Sequence, residues 1–197
     1  MTNTVLTDEA LDIIFRAAHT ATAWKDLKIE GELLENIYNI MKFGPTSANA
    51  SPLRIVFVKT EEAKEKLKPC LAPNNVYKTM AAPVTAIFAY DTEFYEHLPR
   101  LFPHTDAKSW FVGNDTLIKD TAFRNSSLQA AYFIVAARAM GLDCGPMSGF
   151  DAEKLNAVFV PDGKLKTNFI CNLGYADPSG THARNPRFEF GEVCDIQ

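Results

Sequence analysis

Five segments of this chain carry residue types that could do chemistry. Gly44-Pro45-Thr46-Ser47-Ala48-Asn49-Ala50-Ser51-Pro52 sets three hydroxyls and one amide among small residues. Small side chains let backbone N–H groups come close to a flat polar ligand. The same residue types also build ordinary turns. His182-Ala183-Arg184-Asn185-Pro186-Arg187 puts one imidazole and two guanidinium groups within six residues of an acidic chain. An arginine fork fits a phosphate dianion bidentately, although such a cluster can equally be a solvated surface. His19-Thr20-Ala21-Thr22 offers an imidazole and two hydroxyls, suited to a phosphate or a polyol, or to capping a helix. Gly141-Leu142-Asp143-Cys144-Gly145-Pro146-Met147-Ser148-Gly149-Phe150-Asp151 is rich in glycine and permits close approach of a ligand. It also reads as a helix end, a short strand and a turn. Arg124-Asn125-Ser126-Ser127-Leu128-Gln129 places polar groups where a helix interior disfavours them. Such groups need partners if buried, across an interface for example, or else they face solvent.

Other constellations are missing. The spacing G-x3-G-x3-G is not the dinucleotide fingerprint, and a helix stands where that fingerprint needs a strand. There is no G-x-S-x-G elbow, no P-loop lysine and no local Cys-His dyad. Cys70, Cys144, Cys171 and Cys194 form no C-x-x-C pair and do not join His19, His97, His104 or His182 at zinc-ligand spacing. No metal site is expected. Reduced thiols fit a cytoplasmic protein.

The elements that must position these segments alternate between the two kinds. Thr7 is placed to cap a helix over 8–18, with Leu11, Ile14, Phe15 and Ala18 on one face. A second helix, over 30–43, follows the i, i+3, i+4, i+7 rule and stops at Gly44-Pro45. Strands are expected over 53–59, 83–90 and 167–174, with a short extended piece over 142–147. Further helices are expected from Thr60 to near Pro69, over 115–140 and over 151–159. The stretch 91–113 mixes aromatic residues with prolines, which reads as an ordered excursion over a pocket. Residues 130–137 are apolar all round, so that part of the long helix is central or lies in a subunit interface. The tail, 176–197, has little periodicity and reads as a segment that wraps around something. The class is α+β, a small sheet flanked by helices.

Composition agrees. The chain has 197 residues, 47% hydrophobic and 22% charged, enough for one domain with its own core. Its net charge of −4 lacks the basic footprint of a nucleic-acid binder. Met1 to Phe15 has no basic region of a secretory signal, and the apolar run Asn125 to Ala137 is too short to cross a bilayer.

Taken together and in order, these segments resemble the FMN-dependent nitroreductase family over roughly His19 to Arg184. Pro45 to Pro52 matches the family's P-S-S-x-N-x-Q-P loop. Gly141-Leu142-Asp143 with Pro146 to Asp151 is similar to its G-I/L-x…P-x-x-G-F-D element. His182-Ala183-Arg184-Asn185-Pro186 is similar to its K-x-R-x-P phosphate grip. Within the family, Phe94-Tyr95-Glu96, Leu101-Phe102-Pro103-His104, Ser109-Trp110-Phe111 and Thr121 to Ser127 resemble the malonic semialdehyde reductases of uracil degradation.

The resemblance implies a nitroreductase-like fold with a small, mostly antiparallel central sheet, and an intertwined homodimer with FMN at each subunit interface. The tail would wrap the partner. His19, Thr20 and Thr22 would meet the FMN phosphate and ribityl chain, and His182 and Arg184 would hold the phosphate. Pro45, Thr46, Ser47 and Asn49 would come from the partner subunit. Asn75 would hydrogen-bond the pyrimidine edge, and Met147, Ser148 and Gly149 would lie against the ring near N5. NADH or NADPH would give a hydride in a ping-pong cycle, and malonic semialdehyde would leave as 3-hydroxypropionate. Arg124, Arg100 and His104 are candidates for the substrate carboxylate.

Three departures matter. Where the family often has several basic residues in its first motif, this chain keeps only His19 in Ala18 to Thr22. The family's tail lysine is His182, and since histidine ordinarily titrates near 6.5, FMN affinity is expected to depend on pH. The family's acid beside the ring is Ser148, which removes a charge near N5. Three other functions compete with aldehyde reduction. They are a general nitro/quinone reductase, a non-catalytic flavin-binding protein and a helical interaction protein without cofactor.

Overall fold

The computed structural model describes residues 4–197. Among these, four strands form one sheet in the order β1-β2-β4-β3, every neighbour antiparallel. They are β1 (Leu53–Val58), β2 (Val84–Asp91), β3 (Asp143–Met147) and β4 (Leu165–Gly174). Side-chain alternation divides the core. Leu53, Ile55 and Phe57 of β1 join Val84, Ala86 and Phe88 of β2 on one face. That face is covered by α2 (Gly31–Met41) and α6 (Asp115–Ala139). Val56, Val58, Ile87 and Ile170 point the other way, against α3 (Glu61–Leu67) and α7 (Ala152–Phe159). The result is the expected α+β arrangement of helices on both faces of a small antiparallel sheet.

Local chemistry sets the element ends. Thr7 Oγ1 accepts from the Ala10 N–H at 3.3 Å and starts α1 (Asp8–Leu11), which runs on as a π-helical turn to Arg16, two residues short of the expected end. The expected apolar face of this helix is not buried within the chain, and Ile13 and Phe15 are more than half exposed. Thr60 Oγ1 caps α3 as expected. Gly141 closes α6 at φ +84°, a conformation open to glycine.

Among the helices longer than four residues, one was not legible in the sequence. It is α4 (Pro73–Ala81), with Asn75 and Thr79 as its buried residues. Donors from three other segments hold its last turn. Lys64 Nζ donates to the carbonyls of Met80 and Ala82. Trp24 Nε1 donates to Lys78 O at 2.9 Å, and Asn172 Nδ2 donates to Lys78 O and Thr79 Oγ1. Lys64 is buried, and burial lowers its pKa from the ordinary lysine value. Lys64→Met leaves those carbonyls without this donor, and is expected to reduce the unfolding free energy by about 1–3 kcal/mol in a urea titration.

The excursion between β2 and α6 is a packed unit. It contains α5 (Leu98–Leu101) and several 3-10 turns. Phe94, Leu98, Ala107 and Phe111 form a buried cluster with Ala50 and Ala122. Its base is pinned by Asp91, which accepts from Arg54 Nη2 at 2.6 Å and lies 3.3 Å from His97 Nε2. The tail carries only the short α8 (Phe190–Val193), and residues 181–197 are all exposed.

Of the four cysteines, Cys70, Cys144 and Cys171 are buried and Cys194 is exposed, all as free thiols. The Cys171 thiol is pushed well above the ordinary range by the neighbouring Cys144 thiol and by burial. Among the described residues no helix is long and apolar enough to cross a membrane.

Candidate active site

The site follows β3, an edge strand of the sheet. At its start, Thr20 bridges to Cys144 in parallel and the Ala21 N–H donates to Cys144 O at 3.0 Å. The His19–Thr22 segment therefore lies along β3. Gly145 is required here, because a Cβ would meet Ala21 O at 2.7 Å. Thr22 Oγ1 donates to Gly180 O at 2.7 Å and so ties the root of the tail to this segment.

Next to these residues opens a pocket of about 770 Å³. It is lined by His19, Thr20, Thr22, His182 and Arg184, all expected, and by Arg16, Arg138 and Arg187. Arg184 Nη2 donates to the carbonyls of Arg16 and Ala18 at 2.7 and 2.8 Å. Arg138 Nη1 donates to Ile14 O at 3.0 Å. The negative end of the first helix thus holds two guanidinium groups in place. Arg16 pairs with Asp8 and Asp12 at 2.8 and 2.6 Å. Among the described residues, Arg138 and Arg184 pair with no carboxylate. A cradle of this kind suits a phosphate. His19 is the sole basic residue of the first motif, but Arg138 brings positive charge to the same pocket.

At the other end of β3 stand Met147, Ser148 and Gly149. A strand rises about 3.3 Å per residue, so Cys144 and Met147 are roughly 10 Å apart. Asn75 is brought to Gly149, and its Nδ2 donates to Gly149 O at 2.8 Å. The place of a Cβ on Gly149 is taken by that amide. Thr79 Oγ1 reaches Met147 Sδ at 3.6 Å. An amide and a run of small residues at one end, with a cationic cradle at the other, can hold a flat heterocycle joined to a phosphate by a short polar chain.

The Pro45–Asn49 loop is elsewhere. Within one chain it does not join the cradle or the β3 end. Asn49 instead lines a second pocket of about 950 Å³ with Arg100, His97 and the apolar side of α2. Ala48, Asn49 and Ser51 have φ of 49°, 50° and 42°, left-handed values at three non-glycine residues. Neighbours fix this shape. Asn125 Oδ1 accepts from Ser47 N–H at 2.8 Å, Thr46 Oγ1 accepts from Ser51 N–H at 3.1 Å, and Asn49 Nδ2 donates to Leu101 O at 2.8 Å. Tyr132 OH donates to Pro45 O at 3.1 Å.

The polar stretch of α6 finds partners inside the chain, where neither reading of the sequence places them. Asn125 holds Ser47, Gln129 Oε1 accepts from the Leu53 N–H at 2.9 Å, and Asn168 Nδ2 donates to Ser126 and Ser127. The three carboxylate-binding candidates do not converge in one chain. Arg124 sits with Asp120, Phe123 and Leu128 on an open face of α6, Arg100 is at the rim of the second pocket, and His104 packs edge-on to Phe102 at 5.5 Å.

Comparison with known proteins shows the family and the fold. Residues 2–175 match the model of the family described as "Nitroreductase family". A Burkholderia lata protein is 58% identical over 194 residues, covering 98% of this chain and all of the relative. A Polynucleobacter asymbioticus protein is 58% identical over 192 residues, covering 98% of each. Both carry the name "Putative NADH dehydrogenase/NAD(P)H nitroreductase". In fold, the chain is similar to an Exiguobacterium sibiricum protein solved in complex with FMN, with a TM-score of 0.85 at 19% identity over the full length of both chains. Matched along most of its length and this close to two relatives, the chain belongs to the nitroreductase family.

Proposed function

We propose that this protein is an FMN-dependent NAD(P)H oxidoreductase that works as a homodimer. The observation that carries the reading is the cationic cradle of Arg138, Arg184, His19 and His182 at one end of β3, with the Asn75–Gly149 pair at the other. The residues fit the group. Arginines without carboxylate partners suit a phosphate dianion, and Asn75 can both donate to and accept from a pyrimidine edge. Met147 to Gly149 would line the ring. When bound, FMN supplies hydride transfer through N5, from a reduced nicotinamide to an acceptor. The relatives' names mention NAD(P)H, and the Exiguobacterium protein was solved with FMN.

The homodimer rests on what one chain leaves unfinished. The Pro45–Asn49 loop is held rigid yet lies away from the chain's own cradle. Ile13 and Phe15 of the first helix and Phe188, Phe190, Val193 and Ile196 of the tail are exposed. A second copy would cover them and bring its loop to this chain's ring site. The partner's α6 would then present its Arg124 side at that site, where a guanidinium could meet the carboxylate of malonic semialdehyde. Phe102, His104 and Trp110 form an aromatic cluster, which favours flat nitro or quinone acceptors as the second reading.

The experiment is the visible spectrum of the purified full chain, supplied with FMN and then with NADPH or NADH without oxygen. Flavin bands that bleach with the nicotinamide, and return with malonic semialdehyde faster than with a nitro or quinone acceptor, are expected. Return with the flat acceptors alone would select the second reading. A chain that takes up FMN but does not bleach would be a flavin-binding protein. One that stays colourless would remove the cofactor altogether.

A further inference from the structure

We propose that Arg138, on the last turn of α6, supplies the fixed positive charge for the FMN phosphate that the chain's first motif lacks. The inference rests on the FMN reading above and assigns a residue within it. Four arginines line the cradle, and their surroundings differ. Arg16 is paired with Asp8 and Asp12, so its charge is largely neutralised before a ligand arrives. Arg184 and Arg187 stand on the tail, where residues 181–197 are all exposed and without regular structure before Phe190. Arg138 alone belongs to a long helix. Its neighbours Ala136 and Ala137 are buried in the main core, so its Cα is held by the sheet packing. One nitrogen, Nη1, donates to Ile14 O, which anchors that side of the fork. The remaining N–H groups are left for a ligand, and among the described residues no carboxylate pairs with them. The end of a helix also favours a cation there. Arg184 is held to the first helix from an exposed tail, through Arg16 O and Ala18 O, while Arg138 is held by the packing of α6 itself.

The test separates phosphate recognition from general damage. Apo full-length protein is titrated with FMN and with riboflavin, which lacks the phosphate, by quenching of flavin fluorescence. Wild type is expected to prefer FMN strongly. Arg138→Gln is expected to weaken FMN binding tenfold or more, to leave riboflavin binding within twofold, and to flatten the salt dependence of FMN binding. Lys119→Gln removes the same charge from an exposed site on α6 and is expected to change neither. Arg138→Lys keeps the charge but not the fork, and is expected to weaken FMN binding by a few-fold. It carries the test if Arg138→Gln does not fold. An unchanged FMN-to-riboflavin ratio in the Arg138 variants would overturn the proposal. So would equal weakening of both ligands, which marks a structural role. A wild type that binds neither flavin would instead overturn the FMN reading, and this assignment with it.

Discussion

Phe133→Ala is expected to cost about 3–5 kcal/mol of unfolding free energy, the range for emptying a large aromatic site in a core. Phe133 is fully buried on α6. Its ring lies 5.3 Å from Phe88 on β2 and 5.9 Å from Phe57 on β1, so it packs the long helix against both strands. Phe88 in turn meets Phe169 of β4 at 5.0 Å. Removing the ring leaves rigid strand backbone on one side and a helix fixed at both ends on the other, so little collapse can fill the space. A urea titration reads the loss directly. Leu128→Ala, at a position 42% exposed on the same helix, is the comparison and is expected to shift stability far less.

Gly149→Ala should have the largest effect on the site. An added methyl would occupy the place of the Asn75 amide. Asn75 is nearly buried, so its side chain has little room to retreat, and its bond to Gly149 O would be lost. A displaced, unsatisfied amide costs about 1–3 kcal/mol, equivalent to roughly 5- to 150-fold in affinity. The expected result is a rise of that size in the FMN dissociation constant, measured by fluorescence quenching, with riboflavin affected equally because the change lies at the ring end. Gly191→Ala, where a methyl meets nothing within 4 Å, is expected to leave both unchanged. Retention of full flavin affinity in Gly149→Ala would remove Asn75 from the ring site.

What the sequence revealed depended on whether a residue's partner was near in the chain. The helices over 31–41 and 115–139 and the buried strands follow from apolar periodicity and local caps, so they could be read directly. Pro73–Ala81 could not. Its buried positions, Asn75 and Thr79, are polar, its large residue Tyr77 is exposed, and its start has no side-chain cap. Its helix is specified by Trp24, Lys64 and Asn172, which only folding brings near. The site divides in the same way. His19, Thr20, Thr22, His182 and Arg184 stood out by residue type. Arg138 did not, because it interrupts an apolar stretch and its partner Ile14 is 124 residues away. The roles of Asn125 and Gln129 were equally hidden, since they serve backbone groups more than seventy residues earlier.

The loop over 46–51 bears on how freely this sequence can drift. Left-handed backbone costs a residue with a side chain about 1–2 kcal/mol, and Ala48, Asn49 and Ser51 all adopt it. Against a total stability of about 5–15 kcal/mol for a typical domain, that is a substantial share. Glycine would relieve it, yet glycine would also let the loop take many shapes. The chain carries the strain and holds one shape through Asn125, Thr46 and Leu101. Changes that an ordinary surface turn would absorb are therefore not neutral here, and a mutation at Asn125 alters the loop without touching it in sequence. Selection on this surface loop should look like selection on a core.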